Sequence, residues 1–170
     1  MAEMKSNLVP MEQEEDTMHG KYLVFDLDHQ EFAIPIAHVI DIINLQPITR
    51  VPNCPDYVKG ITNLRGKVCP IIDVRMRFGK EPQEYHDRTC IIVVEEQGAP
   101  VGMIIDSVSE VITLEDENVS PPPKFSTSAE ARFIQGVGRS DTGVKLILDY
   151  QAVLGEDRFA HVEEAAFPMG

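Results

Sequence analysis

The chain has 170 residues and a formal net charge of -13 at pH 7, because 28 aspartates and glutamates outnumber 15 lysines and arginines. This acidity argues against a protein that binds nucleic-acid phosphates and against a polybasic membrane anchor, and no apolar run reaches the ~20 residues of a transmembrane helix. Hydrophobic residues make up 43% of the chain, which is enough for a core in one domain or in two small lobes.

Residues 1–20 are rich in glutamate and poor in large apolar side chains, so we expect an acidic, disordered tail. This tail lacks the apolar stretch of a signal peptide. The three cysteines lie far apart in the sequence and form no Cys-x-x-Cys pair. Both observations predict a protein of the reducing cytoplasm.

Short β-type runs follow the tail. Residues 21–27 and 31–36 flank a turn candidate, and residues 61–64 and 67–74 flank Arg65-Gly66, whose glycine supplies the positive φ of a tight hairpin. Further runs are found at residues 89–96, 100–106, 107–114, 133–139 and 144–150. Eight to ten short strands with few helices predict an all-β sandwich or barrel assembly.

Two helices are predicted among these strands. Apolar residues spaced by three and four positions predict a short helix within residues 37–47. Asp149 is expected to cap a C-terminal helix over residues 150–167, interrupted at Gly155. Residues 75–87 and 115–131 are predicted to be loops, because glycine and proline interrupt both.

Motifs for catalysis are lacking in the sequence. The five histidines have neither the spacing of a zinc protease nor that of a zinc finger. Cys69 and Cys90 lie inside apolar runs and are predicted to be buried, whereas Cys54 has a more open setting. We therefore predict a binding module with no catalytic residue, metal or cofactor. The alternative is a small thiol or metal enzyme that uses Cys54 with a nearby histidine.

The segment YVKGITNLRGKVCPIIDVRMRFG at residues 57–79 resembles the signature of the chemotaxis coupling protein family, CheW. Flanking stretches are also similar to that family, so the resemblance covers about residues 21–155. It implies two intertwined five-stranded SH3-like β-barrels, with a short helix after the second strand and a C-terminal helix. Residues 156–170 would then form a C-terminal helical extension.

The resemblance also implies a function and partners. The protein would be a non-enzymatic scaffold that couples the cytoplasmic tips of methyl-accepting chemotaxis receptors to the regulatory domain of the histidine kinase CheA. It would be cytoplasmic, without nucleic-acid binding or membrane insertion, and recruited to the inner face of the membrane through receptor arrays. An SH3-like interaction module in a related non-flagellar chemosensory pathway is the alternative within the same fold.

By the same resemblance, three sets of residues are candidate contacts. The receptor groove is expected at Val39, Cys90, Ile91, Gly102, Val108 and Val111, and the kinase-facing surface at Asp41, Ile42, Lys59, Gly60 and Arg65. Phe125 is expected to make a second contact that closes rings in the array. Arg65 is expected to form an electrostatic tie to Asp41, where the family commonly has the longer glutamate.

Overall fold

The computed structural model describes residues 18–123 and 129–155, and short strands dominate them. The strands are β1 (Lys21–Leu27), β2 (Gln30–Pro35), β3 (Val39–Asn44), β4 (Val58–Leu64), β5 (Lys67–Asp73), β6 (Cys90–Glu96), β7 (Ala99–Ile105), β8 (Ser107–Thr113), β9 (Val119–Ser120), β10 (Ile134–Ser140) and β11 (Gly143–Leu148). Two short α-helices, α1 (Val74–Arg77) and α2 (Tyr150–Leu154), accompany 3-10 helices at Ile36–His38, Asp116–Asn118 and Ala129–Phe133. No helix in the described ranges is long and apolar enough to cross a membrane.

The strands form two sheets that the chain enters alternately. The first sheet has the order β8-β1-β2-β11-β10-β9, and the second has the order β3-β6-β7-β5-β4. Because β3 to β7 lie between β2 and β8 in the sequence, the second sheet is inserted into the first. The predicted all-β fold of two intertwined SH3-like barrels is thus confirmed, and the two-residue β9 adds a short sixth strand to the first sheet.

The chain that follows β3 curls the second sheet into a barrel. Thr49 forms two backbone hydrogen bonds with Ile61 of β4, at 2.8 and 2.9 Å, although β3 and β4 are the outer strands of this sheet. The Thr62 hydroxyl donates to the Pro47 carbonyl at 2.9 Å beside them. The two Thr49 bonds pair the backbone of Ile61 on the outer edge of β4, which would otherwise be exposed there.

A row of phenylalanines connects the two sheets. Phe25 and Phe32 of the first sheet stack at a centroid distance of 5.9 Å, and Phe32 lies 5.7 Å from Phe78, which follows α1. Phe78 in turn stacks on Phe133 at 5.2 Å. A second apolar cluster, inside the second barrel, contains Cys69, Ile71, Ile91, Val93 and Ile104. Alternate residues of β6 therefore face the shared core and the interior of the second barrel.

The predicted helix within residues 37–47 is wrong. Only Ile36–His38 is helical, as one 3-10 turn, and Val39–Asn44 is strand β3. Partly buried and exposed residues alternate along β3, which pairs with β6. The period-two burial and the β-branched side chains favour a strand, and the ladder with β6 supplies backbone hydrogen bonds that a short isolated helix lacks.

The C-terminal helix begins where the sequence places it, whereas α1 begins just before a segment that was predicted to be a loop. Asp149 caps α2 by accepting a hydrogen bond from the Ala152 amide at 3.2 Å, and the helix ends before Gly155, whose φ is 68°. Within the predicted loop at residues 75–87, α1 is capped by Asp73 in the same way. Most of the predicted tail and all of the extension at residues 156–170 lie outside the described residues.

Candidate functional site

A groove of about 530 Å³ lies where the outer strands of the two sheets meet. We call it the inter-sheet groove. Its lining combines apolar and small side chains from both sheets with a charged rim: Asp26, Ile42, Asn44, Asp87, Arg88, Cys90, Ser107, Val108 and Ser109. Cys90 comes from β6 and Val108 from β8, so two of the six predicted receptor residues meet here although they belong to different sheets.

A bulge in β8 determines which way its valines face. Val111 pairs with Leu23, and Val108 pairs with Phe25, so Ser109 is an extra residue without a partner in the ladder. Residues three apart on a regular strand point to opposite faces, but the bulge places Val108 and Val111 on the same face. Val111 is 52% exposed, whereas Val108 is partly buried against the shared core.

The other predicted receptor residues do not line the groove. Val39 is partly buried against the shared core, and Ile91 is fully buried inside the second barrel. Gly102 is buried as well, and a β-carbon there would lie 2.7 Å from both Ile71 and Ile91. Ile91 and Gly102 can therefore shape the sheet beneath the groove, but neither residue is exposed to a partner.

The predicted tie between Arg65 and Asp41 is confirmed. Arg65 and Gly66 have φ values of 53° and 84°, the two positive values of a type I′ hairpin turn, and the Asn63 side chain accepts from the Gly66 amide at 2.8 Å. One guanidinium nitrogen of Arg65 lies 2.8 Å from Oδ2 of Asp41. Oδ1 of Asp41 accepts from the Ile42 amide at 2.9 Å, so the carboxylate is fixed at both oxygens.

Two exposed isoleucines lie on either side of Asp41 on β3. Ile40 is 48% exposed and Ile42 is 42% exposed. The sequence assigns Ile42 to the kinase-facing surface, and the structure also places it in the inter-sheet groove. Ile40 was missed, because the helical interpretation of residues 37–47 hides the strand alternation that exposes both isoleucines together.

Lys59 and Gly60 occupy neighbouring but different settings on β4. The partly buried Lys59 has its Nζ 4.0 Å from the Met76 sulfur and lines a second cavity of about 360 Å³. Gly60 has a φ of 144°, and a β-carbon there would lie 2.1 Å from the Thr49 carbonyl oxygen. Gly60 therefore allows the chain at Thr49 to pack on β4.

Phe125, the predicted ring contact, lies outside the described residues.

The thiol alternative finds no support in the setting of Cys54. Burial raises the pKa of the Cys54 thiol, which contacts the Pro52 carbonyl at 3.7 Å. Its cavity is lined by Ile48, Arg50, Val51, Pro55, Asp56, Val58, Lys59 and Met76, and so by no histidine. Burial also raises the pKa of Cys90, and that of Cys69 to about 11, whereas a nucleophilic cysteine needs a lowered pKa. Over residues 18–123 and 129–155, no group of three His, Cys, Asp or Glu side chains could hold a metal ion.

Comparison with known proteins identifies relatives of the whole described region. Residues 21–158 match the sequence model of the CheW-like domain. The chain is 32% identical over 151 residues to the chemotaxis protein CheW of Klebsiella aerogenes, covering 89% of this chain and 91% of that protein. It is 37% identical over 122 residues to the chemotaxis protein CheW of Rhizobium meliloti, covering 71% and 79%.

A solved structure has the same fold. The crystal structure of the scaffolding protein TtCheW from Thermoanaerobacter tengcongensis superimposes with a TM-score of 0.71 at 34% sequence identity. The match covers 76% of this chain and 88% of that chain. The similarity therefore extends across both sheets rather than over one motif.

Proposed function

The chain belongs to the CheW family, and from that premise we propose that it couples methyl-accepting chemotaxis receptors to the regulatory domain of the kinase CheA. It is a chemotaxis coupling scaffold, and it works without catalysing a reaction of its own. Its similarity to proteins named for chemotaxis favours this function over a module of a non-flagellar pathway. Binding to receptor tips would hold the protein at the cytoplasmic face of the membrane.

The inter-sheet groove is the observation that carries the receptor contact. An amphipathic helix needs a concave apolar strip with a polar border, and the groove offers Ile42, Cys90 and Val108 bordered by Asp87 and Arg88. The small side chains of Ser107 and Ser109 leave room for a helix to approach closely. Because the lining comes from two sheets, the groove exists only in the assembled fold.

The surface around Arg65 supports the kinase contact. Arg65 and Asp41 form a polar pair beside the exposed Ile40 and Ile42, which is the apolar centre and charged rim of a typical protein interface. A regulatory domain of the same barrel fold could dock on it edge to edge. Phe125 remains the proposed second contact between neighbouring units of the array.

The experiment that tests the proposed function is reconstitution. Purified protein is sedimented with receptor-containing membranes and CheA, and kinase autophosphorylation is then measured. We expect the protein to appear in the pellet only with receptor-containing membranes present, and to raise autophosphorylation. Sedimentation unchanged by receptor, together with autophosphorylation unchanged by the protein, would overturn the proposal.

A further inference from the structure

Asp106 alone connects the two sheets at the side of the inter-sheet groove. β7 ends at Ile105 in the second sheet, and β8 begins at Ser107 in the first. The next two residues, Ser107 and Val108, line the groove. The backbone conformation at Asp106 therefore determines how far β8 lies from β3 and β6, the strands of the second sheet that form the opposite wall of the groove.

A largely buried arginine holds this crossing in place. Arg75 of α1 is 6% exposed, and its Nη2 lies 2.6 Å from Oδ2 of Asp106. Its Nη1 lies 2.9 Å from Oδ1 of Asp28, in the β1–β2 turn of the first sheet. One guanidinium thus joins a helix that extends from β5, a turn of the first sheet and the crossing residue.

Further hydrogen bonds connect the crossing residue to β1 and to the β1–β2 turn. The Asp28 amide donates to Oδ2 of Asp106 at 2.9 Å, and Lys80 lies 2.8 Å from Oδ2 of Asp28. The Asp106 amide donates to the Asp26 carbonyl at 3.1 Å, and the Ser107 hydroxyl donates to the Asp26 carboxylate at 3.0 Å. Asp26 itself lines the groove, so the cluster continues directly into its wall.

The planar fork of arginine suits this position. Its two terminal nitrogens reach two different carboxylates at once, whereas the single ammonium of lysine cannot reproduce both directions. Removing the guanidinium would leave the partly buried carboxylates of Asp106 and Asp28 side by side, with Lys80 still paired to Asp28 but no cation between the two. The crossing and the β1–β2 turn would then lose their tie to α1, while both sheets kept their own ladders.

We propose that Arg75 is a positioning residue that fixes the angle between the two sheets and thereby the width of the inter-sheet groove. Its consequence for receptor binding rests on the proposed function, but its structural effect does not. The residue touches no partner itself, since it is largely buried on the other side of the crossing.

The test measures the sheet-to-sheet distance directly. Genetically encoded spin labels at Glu95 of β6 and Glu110 of β8, both exposed and outside the groove lining, report the separation of its two walls by double electron–electron resonance. We expect Arg75→Met to shift or broaden the distance distribution and Arg75→Lys to do so less. Affinity for a receptor-tip helix should fall about tenfold in Arg75→Met, because the helix must then bind a groove that is no longer held at the fitting width.

Glu31→Gln is the matched control. It breaks the 2.8 Å ion pair of Glu31 with the buried Lys145, which joins β2 and β11 inside the first sheet. We expect this variant to lower stability without changing the distance distribution. Asp106→Asn, which keeps the side-chain shape, replaces Arg75→Met if that variant does not fold.

The outcomes separate the two proposals. An unchanged distance distribution in a folded Arg75→Met or Asp106→Asn variant would overturn the positioning role. Failure of the wild-type groove to bind receptor helix, with an altered distribution in the variants, would overturn the proposed function and leave the positioning role in place.

Discussion

Arg65 and Asp41 lie at opposite edges of the second sheet, and their side chains meet at 2.8 Å. Asp41 is on the outer strand β3, and Arg65 is at the tip of the β4–β5 hairpin. Such a pair can form only because the sheet curls into a barrel, in which the first and last strands approach each other. The ion pair therefore joins β3 and the hairpin into one continuous surface.

Arg65→Ala should weaken kinase coupling with little effect on folding. The Arg65 side chain is 78% exposed, and exposed ion pairs contribute about 0–1 kcal/mol to stability. Loss of an arginine central to an interface typically costs more than about 1 kcal/mol of binding free energy. Affinity for the CheA regulatory domain and stimulated autophosphorylation are the measurements. Arg139→Ala, at another exposed arginine, is the control, and equal coupling by both variants would contradict a role for Arg65.

Val108→Met should block the inter-sheet groove. The longer side chain extends from β8 toward Cys90 and fills space that a receptor helix would need. We expect receptor-tip affinity to fall while kinase-domain affinity is retained. Val144→Met is the control, because it makes the same substitution at a valine that is 58% exposed and outside the groove. It should change neither affinity. Unaltered receptor binding by a folded Val108→Met protein would contradict the proposal that the receptor binds in this groove.

Gly60→Ala should destabilise the protein by about 3 kcal/mol or more, because it combines a positive φ with a backbone clash. The new β-carbon would meet the Thr49 carbonyl at 2.1 Å. Gly98→Ala is the control, since its φ is 81° but its β-carbon would meet nothing within 4 Å, and we expect a cost of about 1 kcal/mol. Urea denaturation measures both free energies of unfolding. An equal loss of unfolding free energy in the two variants would show that the close approach of Thr49 adds nothing to the cost at Gly60.

Stability should fall at alkaline pH partly through Tyr85. Burial raises the pKa of Tyr85, and its hydrogen bond to Oδ2 of Asp73, at 2.8 Å, raises it further. The unfolded tyrosine loses its proton near its ordinary pKa of about 10, while the folded one keeps it, so stability decreases as pH rises above that value. Urea denaturation at pH 9 and pH 11 should show a smaller decrease for Tyr85→Phe than for the wild type. Identical decreases would contradict the contribution of this residue.

Phe125→Ala tests the proposed ring contact. Loss of an aromatic anchor should weaken contacts between neighbouring units while leaving binding to a single receptor helix unchanged. Electron microscopy of reconstituted arrays measures the order of the lattice. Fully ordered arrays with the variant would contradict the proposed ring contact at Phe125.

Local sequence was sufficient for much of the fold. The Arg65-Gly66 pair predicted a hairpin because two positive φ values favour glycine and tolerate few neighbours, and the structure has that turn. Asp149 predicted a helix start for a similar reason, since its carboxylate can reach the amide three residues later. The signature at residues 57–79 was specific enough to indicate the family, and with it the partners now proposed.

The groove and its support depended on tertiary structure. Val39–Asn44 has apolar spacing compatible with a helix, and only pairing with β6 makes it a strand. The bulge at Ser109 turns Val108 and Val111 to one face, and this depends on the register with β1. Arg75 meets Asp28 and Asp106 across 47 and 31 positions of the chain. Sequence patterns report the conformations that neighbouring residues prefer, whereas contacts between distant residues are decided by strand register and by how the two sheets pack.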